Sequence, residues 1–279
     1  MPGFRTICIL ALLIFLLSLA RAGTLVQFRT PFGDMEVELY DQDKPVTVQN
    51  FLRYVQNGLY VNEFSHRLVP GFVLQGGGYT LTNIIISSIP TYPPIINEYG
   101  VGNQYSNVFG TIAMAQLGGD TNSATSQWFF NLTNNPALDE QNTSGFFVVF
   151  GHVIQGTNIL NLFNSFQYYT GIQTSNLIAN EGNYYGPAFV DLPVLHPSLA
   201  PTNFVYIDVT LLQVAITNSS GAEQISWNSA TGLTNIVEFT TNMPPVWNTL
   251  ITTNGTGTRM TVTDHAAAQS RFYRIQVTY

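Results

Sequence analysis

Cysteine, lysine and charge of either sign are all scarce in this sequence. One cysteine, Cys8, stands among 279 residues, which excludes disulfide frameworks, CxxC redox pairs and cysteine-ligated zinc. The four histidines, His66, His152, His196 and His265, include no pair at i,i+3 or i,i+4 spacing. A helical His–His metal motif is therefore excluded. Lys44 is the single lysine, and charged residues make up 9% of the chain, against roughly a quarter in ordinary globular proteins. Nine basic and sixteen acidic residues give a net charge of -7, a poor match for nucleic acid or an anionic membrane. Apolar residues, by contrast, reach 45%. That suffices for the core of one large or two small domains and argues against global disorder.

The first residues read as an address. Arg5 precedes an uncharged 13-residue run, Ile7 to Leu19, and Ala20-Arg21-Ala22 follows. A positive start, an apolar stretch and a small-x-small ending describe a secretory signal peptide over residues 1–22. The run is too short for a membrane span, which needs about 20 apolar residues. Cleavage after Ala22 is expected, giving an exported protein, periplasmic or secreted, with no membrane span. Cys8 leaves with the leader, and 7 basic residues then face 16 acidic ones, a net charge of -9. The sequons at Asn131, Asn142, Asn218 and Asn254 are read as chance in an Asn- and Thr-rich chain.

Hydrophobic periodicity predicts strands at 24–29 and 35–40 around a turn at Thr30-Pro31-Phe32-Gly33-Asp34. Val48, Phe51, Leu52 and Val55 then fall at helical spacing, with Thr47 as the expected N-cap and Gly58 as the stop. Short strands are predicted at 65–68, 72–75, 110–115, 127–132 and 146–154, a second helix at 157–163 and a closing strand at 205–214. Strands outnumber helices without alternating with them, which disfavours a doubly wound sheet and favours a closed antiparallel barrel with packed helices. Residues 165–202 read as irregular. From about 215 the composition turns to Ser, Thr and Asn, with alternating runs near 235–240, 246–252, 259–263 and 271–279. The division is thus one larger unit over 23–214 and a small all-β module over 215–279.

The densest constellation is Phe64-Ser65-His66-Arg67-Leu68-Val69-Pro70-Gly71-Phe72-Val73-Leu74-Gln75-Gly76-Gly77-Gly78. It places an arginine and a glutamine on adjacent strands around a Pro-Gly turn. Thr111 to Ala115, Ser123 to Asn131, Leu138-Asp139 and Gly145 to Gly151 follow in order. Together these resemble the cyclophilin family of peptidyl-prolyl cis–trans isomerases, from about Thr24 to Val214. Asn97-Glu98 and Ser123-Ala124-Thr125 resemble bacterial members more than eukaryotic ones. The resemblance implies a mainly β fold, an eight-stranded antiparallel barrel capped by two helices. It implies Arg67 as the catalytic arginine and Gln75 as its neighbour. Phe72, Val73, Phe129, Leu138 and Phe147 match the proline pocket, and Ala115, Gln116 and Gln127 match the groove for substrate backbone. Proline-containing peptides and unfolded client proteins are the partners so implied, with no cofactor, no metal and a monomeric state.

The residue types suit that chemistry. An X-Pro bond rotates over a barrier of about 20 kcal/mol because twisting breaks amide resonance. In the twisted state the proline nitrogen becomes pyramidal and can accept a hydrogen bond, which a fixed guanidinium in an apolar pocket can donate. Ser65 and Ser126 lack a nucleophile elbow, and glycines 76–78 do not open a helix as a phosphate loop would. His66 reads as a structural neighbour. A non-catalytic proline-peptide binder is the alternative, though binding alone would not need the transition-state donor. The chain departs from the family pattern at Ser65, Val73 and Phe147. Ala137 stands where cyclosporin-sensitive members have Trp. Val237-Glu238-Phe239, Trp247 and Arg271-Phe272-Tyr273-Arg274 resemble short β modules appended to secreted bacterial proteins.

Overall fold

The computed structural model describes residues 23–278, apart from 141–144, 169–176, 197–199, 213, 220, 230–233, 257–258 and 266–269. The expected leader and the sequon at Asn142 lie outside the described residues. β1 (Leu25–Thr30) and β2 (Gly33–Leu39) form a hairpin with Thr30 opposite Gly33. Val26, Phe28, Met35, Val37 and Leu39 are wholly buried along it. Helix α1 (Pro45–Gln56) turns Val48, Phe51, Tyr54 and Val55 into the same core.

Thr47 is not the N-cap of α1. The helix begins two residues earlier, where Pro45 suits the first turn because its missing N–H would be unpaired there. The capping is supplied from a distance: the Glu98 carboxylate accepts the N–H groups of Val46 and Thr47, at 3.1 and 2.7 Å, and the Thr47 hydroxyl at 2.7 Å. Just ahead of the helix, buried Lys44 donates through Nζ to the carbonyls of Glu98, Tyr99 and Val101. The one lysine of the chain therefore pins the loop that caps the helix. At the other end Gly58 takes a φ of +67°, the left-handed stop expected of it.

The chain continues through β3 (Arg67–Val69), β4 (Val73–Gly76), the hairpin β5 (Tyr79–Thr82) and β6 (Ile85–Ser88), β7 (Thr111–Met114), β8 (Trp128–Asn131), β9 (Val149–Gln155) and helix α2 (Thr157–Asn164). Residues 165–202 are less irregular than expected. They hold the short pair β10 (Ile178–Ala179) and β11 (Leu192–Pro193), with a single helical turn α3 (Gly182–Tyr185) between them. Phe189, Leu192 and Val194 pack there against Phe64 and Phe204. β12 (Asp208–Leu212) completes one antiparallel sheet in the order β12-β1-β2-β9-β7-β8-β4-β3. Helices α1 and α2 pack against this sheet, at β12 and β2 respectively.

The sheet is a curled half-barrel rather than the closed barrel expected. β3 and β12 remain its two edges, and no ladder joins them. Across the seam an isolated bridge stands in for a ladder: Ser65 N–H donates to Val205 O at 2.9 Å and Ile207 N–H to Glu63 O at 3.0 Å, and Asn62 N–H donates to Asp208 Oδ1 at 3.0 Å. β3 is three residues long and turns away at Pro70, so a full ladder has no length to form along it. No helix among the described residues is long and apolar enough to cross a membrane.

Beyond β12 lie two three-stranded sheets. One is β13 (Val214–Ser219), β14 (Ala222–Asn228) and β17 (Arg259–Asp264); the other is β16 (Asn248–Asn254), β15 (Thr234–Thr240) and β18 (Phe272–Thr278). The hairpin β13–β14 was not expected from the sequence, because only Ile225 and Trp227 of β14 carry a large inward side chain.

Candidate functional site

A pocket of about 180 Å³ opens on one face of the half-barrel, lined by Arg67, Phe72, Val73, Gln75, Ala115, Gln116, Phe129, Leu138 and Phe147. Nine of the ten residues singled out by sequence thus meet on one wall. The tenth, Gln127, stands directly behind Gln75 and accepts its side-chain N–H at 2.8 Å. Antiparallel register explains the convergence. Arg67 faces Gln75 across β3–β4, Gln75 faces Phe129 across β4–β8, and Phe129 faces Ala113 across β8–β7. Residues opposite one another share a sheet face, so four strands contribute to one patch.

The floor is apolar and separate from the main core. Val73, Ala113, Phe129 and Val149 form a buried cluster against which Phe72, Ala115, Leu138 and Phe147 pack half-exposed. The Phe129 and Phe147 rings meet edge-on at 5.7 Å. On the rim, the Arg67 guanidinium lies 3.5 Å from Gln75 Oε1 through Nη1 and 5.8 Å from the Phe72 ring centroid. Gln116 is held from the side by Asn97 Nδ2, which donates to its Oε1 at 3.3 Å.

A polar network that sequence reasoning missed holds the pocket wall together. Asn131, wholly buried in β8, donates through Nδ2 to Asn107 Oδ1 at 3.0 Å and to Thr111 Oγ1 at 2.9 Å. It accepts from Asn135 Nδ2 at 2.7 Å. Asn135 Nδ2 also donates to Phe72 O, and Asn107 Nδ2 to Phe147 O and to the Asp139 carboxylate. The network therefore ties the backbones that carry Phe72, Leu138 and Phe147 to one another. Buried amides that satisfy each other in this way fix geometry because any unmade bond is expensive. The sequon at Asn131 is consequently closed to modification. Asn131 and Asp139 stood in recognisable segments, but nothing in the sequence tied Asn107 and Asn135 to them.

His66 lies behind Arg67 and is almost completely buried. Burial, with the Arg67 charge beside it, pushes the imidazole down to about 4, against the opposing effect of the Gln127 amide. At neutral pH it is uncharged and has no proton to lend the pocket as an acid. Glycines 76–78 have a steric purpose rather than a phosphate-binding one: a Cβ on Gly76 would stand 2.5 Å from the Trp128 ring. The arrangement offers one cationic donor above an apolar pocket of about 180 Å³, and no nucleophile lines it.

A larger cleft of about 540 Å³ lies between β1–β2 and the carboxy-terminal sheets, lined by Leu25, Glu36, Trp227 and Arg274 among others. It shares no residue with the pocket around Arg67. Among the described residues, no three His, Cys, Asp or Glu side chains come together as a metal-binding group.

Comparison with known proteins agrees with this geometry. The family described as "Cyclophilin type peptidyl-prolyl cis-trans isomerase/CLD" matches residues 25–178. A peptidyl-prolyl cis-trans isomerase of Acinetobacter baylyi is 39% identical over 142 residues, covering 51% of this chain and 72% of that protein. Peptidyl-prolyl cis-trans isomerase A of Dickeya dadantii is 37% identical over 148 residues, covering 53% of this chain and 75% of that protein. A Cryptosporidium parvum cyclophilin-type isomerase, crystallised in the presence of the dipeptide Ala-Pro, aligns over 67% of this chain and 98% of its own at 21% identity and a TM-score of 0.46. The match spans more than half of the sequence and contains every residue of the pocket, so the chain belongs to the cyclophilin-type peptidyl-prolyl cis-trans isomerase family.

Proposed function

We propose that this protein is a peptidyl-prolyl cis–trans isomerase that acts on X-Pro bonds of exported proteins through the pocket around Arg67. The observation that carries the reading is one guanidinium, paired with Gln75, at the rim of an otherwise apolar pocket. Phe72, Val73, Phe129, Leu138 and Phe147 take the proline ring out of water, Ala115 and Gln116 hold the flanking backbone, and Gln127 steadies Gln75 from behind. As the bond twists, the proline nitrogen loses its conjugation and gains a lone pair. An N–H of Arg67 donates to that lone pair. The donor gains most at the twisted geometry, so it lowers the barrier rather than merely tightening binding. The neutral His66 and the absence of a pocket nucleophile fit a reaction in which no proton or covalent bond changes hands.

Export is supported by the basic start, apolar run and Ala20-Arg21-Ala22 ending, which put the mature start near Gly23. Partners of this reading are proline-containing peptides and unfolded clients, met by a monomer, with residues 215–279 a small β module that serves either as a stabilising cap or as a contact surface. A protease-coupled isomerisation assay on a proline tetrapeptide tests the activity. Arg67→Ala is expected to lower kcat/KM at least tenfold, about 1.4 kcal/mol, while the variant stays folded. Arg67→Lys should rescue only partly, since an ammonium lacks the planar fork. An unchanged kcat/KM in folded Arg67→Ala would remove Arg67 from the mechanism. N-terminal sequencing of the exported protein tests the leader, and an intact Met1 in that fraction would overturn it.

A further inference from the structure

We propose that Asp191 is a positioning residue for Arg67, a role that rests on the isomerase reading above. Asp191 lies beyond residues 25–178, the part that matches the family, in the segment that the sequence presented as irregular. Its backbone is seated against the outer edge of β3, where the Leu68 N–H donates to Asp191 O at 2.7 Å. That bond sets the Asp191 carboxylate beside the neighbouring residue, Arg67. Oδ2 stands 3.6 Å from Arg67 Nε, and Oδ1 accepts the Tyr168 hydroxyl at 3.2 Å.

The guanidinium is thus approached on two edges. Gln75 Oε1 faces Nη1, with Gln75 itself fixed by Gln127, and the Asp191 carboxylate faces Nε. Among the described residues Nη2 has no protein acceptor, which leaves its N–H groups for a substrate. The Arg67 side chain is 35% exposed, and an arginine that open spreads over several rotamers unless its head is held. An amide at one corner leaves rotation about the last bonds possible; a carboxylate 3.6 Å from Nε opposes that rotation electrostatically. Fixing the donor before the bond twists is what makes it effective in the transition state. A half-exposed ion pair of this length adds little to folding, so its value would lie in orientation.

The test uses the full chain and Asp191→Asn, which keeps the Tyr168 contact and the backbone bond but removes the charge. The expected result is a fall in kcat of roughly three- to tenfold, with KM for the peptide and Tm nearly unchanged. Asp191→Glu should recover part of the loss. In an Arg67→Ala background Asp191→Asn should cost nothing further, because the group it positions is gone. Nuclear magnetic resonance of the Arg67 Nε–H gives an arm independent of turnover: its exchange with solvent should quicken in Asp191→Asn. Unchanged kcat with unchanged Nε–H exchange would overturn the proposal, as would an equal loss with and without Arg67. A wild type without turnover would instead sink the isomerase reading, and the exchange measurement would still decide whether Asp191 holds Arg67.

Discussion

Trp128 and Trp227 mark the two β regions of this chain. Trp128 in the half-barrel is wholly buried, with the rings of Phe28 and Phe130 at 5.0 and 5.5 Å, inside a core that draws on the hairpin β1–β2 and both helices. Trp227 in the carboxy-terminal sheets shares its core with Ile225 and Val237, the other two fully buried apolar residues of that cluster. Its indole N–H donates to Asn235 Oδ1 at 3.0 Å. The two regions also treat charge differently. The half-barrel hides Lys44, Glu63 and Glu98, whereas the carboxy-terminal arginines Arg271 and Arg274 pair with Asp264 and Glu238 at 2.5 and 2.6 Å. Arg274 also covers the Trp247 ring. A large core can hide polar groups and use them to fix a site. The small core also buries a charge, Asp264, but as one half of its ion pair with Arg271, and otherwise leans on hydrogen-bonded ladders.

The sharpest way to break this comparison is to remove each indole. Trp128→Ala should cost about 3–5 kcal/mol and abolish turnover, because β8 and the Gly76–Gly77 passage over the ring lose their support. Trp227→Ala should loosen the carboxy-terminal sheets and leave kcat/KM of the pocket intact. Denaturant melts with parallel assays check both. A Trp227→Ala chain that loses activity along with structure would show that the two regions act as one.

Charge gives a second contrast. His66 is titrated from an ordinary value of 6.5 down to about 4 by burial and by Arg67, so the folded protein resists protonation there while the unfolded chain does not. The sign follows: the contribution is fully present above pH 6.5 and is lost as the pH falls toward 4. The loss amounts to on the order of 3 kcal/mol at 1.36 kcal/mol per pH unit. Glu63 acts in the opposite sense. Burial raises its carboxyl well above the ordinary range, only partly offset by the Gly77 N–H, so its contribution is lost as pH rises past the unfolded value. Stability measured from pH 7.5 to 4.5 should therefore fall less steeply in His66→Gln.

The smallest effect concerns the rim of the pocket against its interior. Ala137 is exposed at the turn that carries Leu138, and the family resemblance matches it to the indole of cyclosporin-sensitive members. A lost hydrogen bond of about 0.5–1.5 kcal/mol and lost aromatic burial of about 2 kcal/mol imply drug binding weaker by roughly a hundredfold. Turnover should survive, because Ala137 does not line the pocket. Titration of the drug against wild type and Ala137→Trp checks this, with inhibition partly restored in the variant. Nanomolar inhibition of the wild type would refute it.

Much of the pocket was legible through the family resemblance, because its motifs follow one another in fixed order along the chain. Arg67 and Gln75 are eight apart around a Pro-Gly turn, a spacing that makes them cross-strand partners once Pro70, Gly71 and Phe72 form the connection. Likewise α1 was visible from Val48, Phe51, Leu52 and Val55, which can share a face only in a helix. The sequence by itself thus determined the mainly β class and the two principal helices, and its resemblance to the family grouped the pocket residues. Only the tertiary structure decided that the sheet stays open between β3 and β12, because closure depends on edge length and on what the 165–207 segment lays across the gap. It also decided that Glu98 rather than Thr47 caps α1, that Asn107 and Asn135 brace the pocket, and that Asp191 reaches Arg67. Each of these is a polar contact between residues remote in the chain. Local periodicity reports which face of an element is buried, but it carries no record of which distant polar group will meet it.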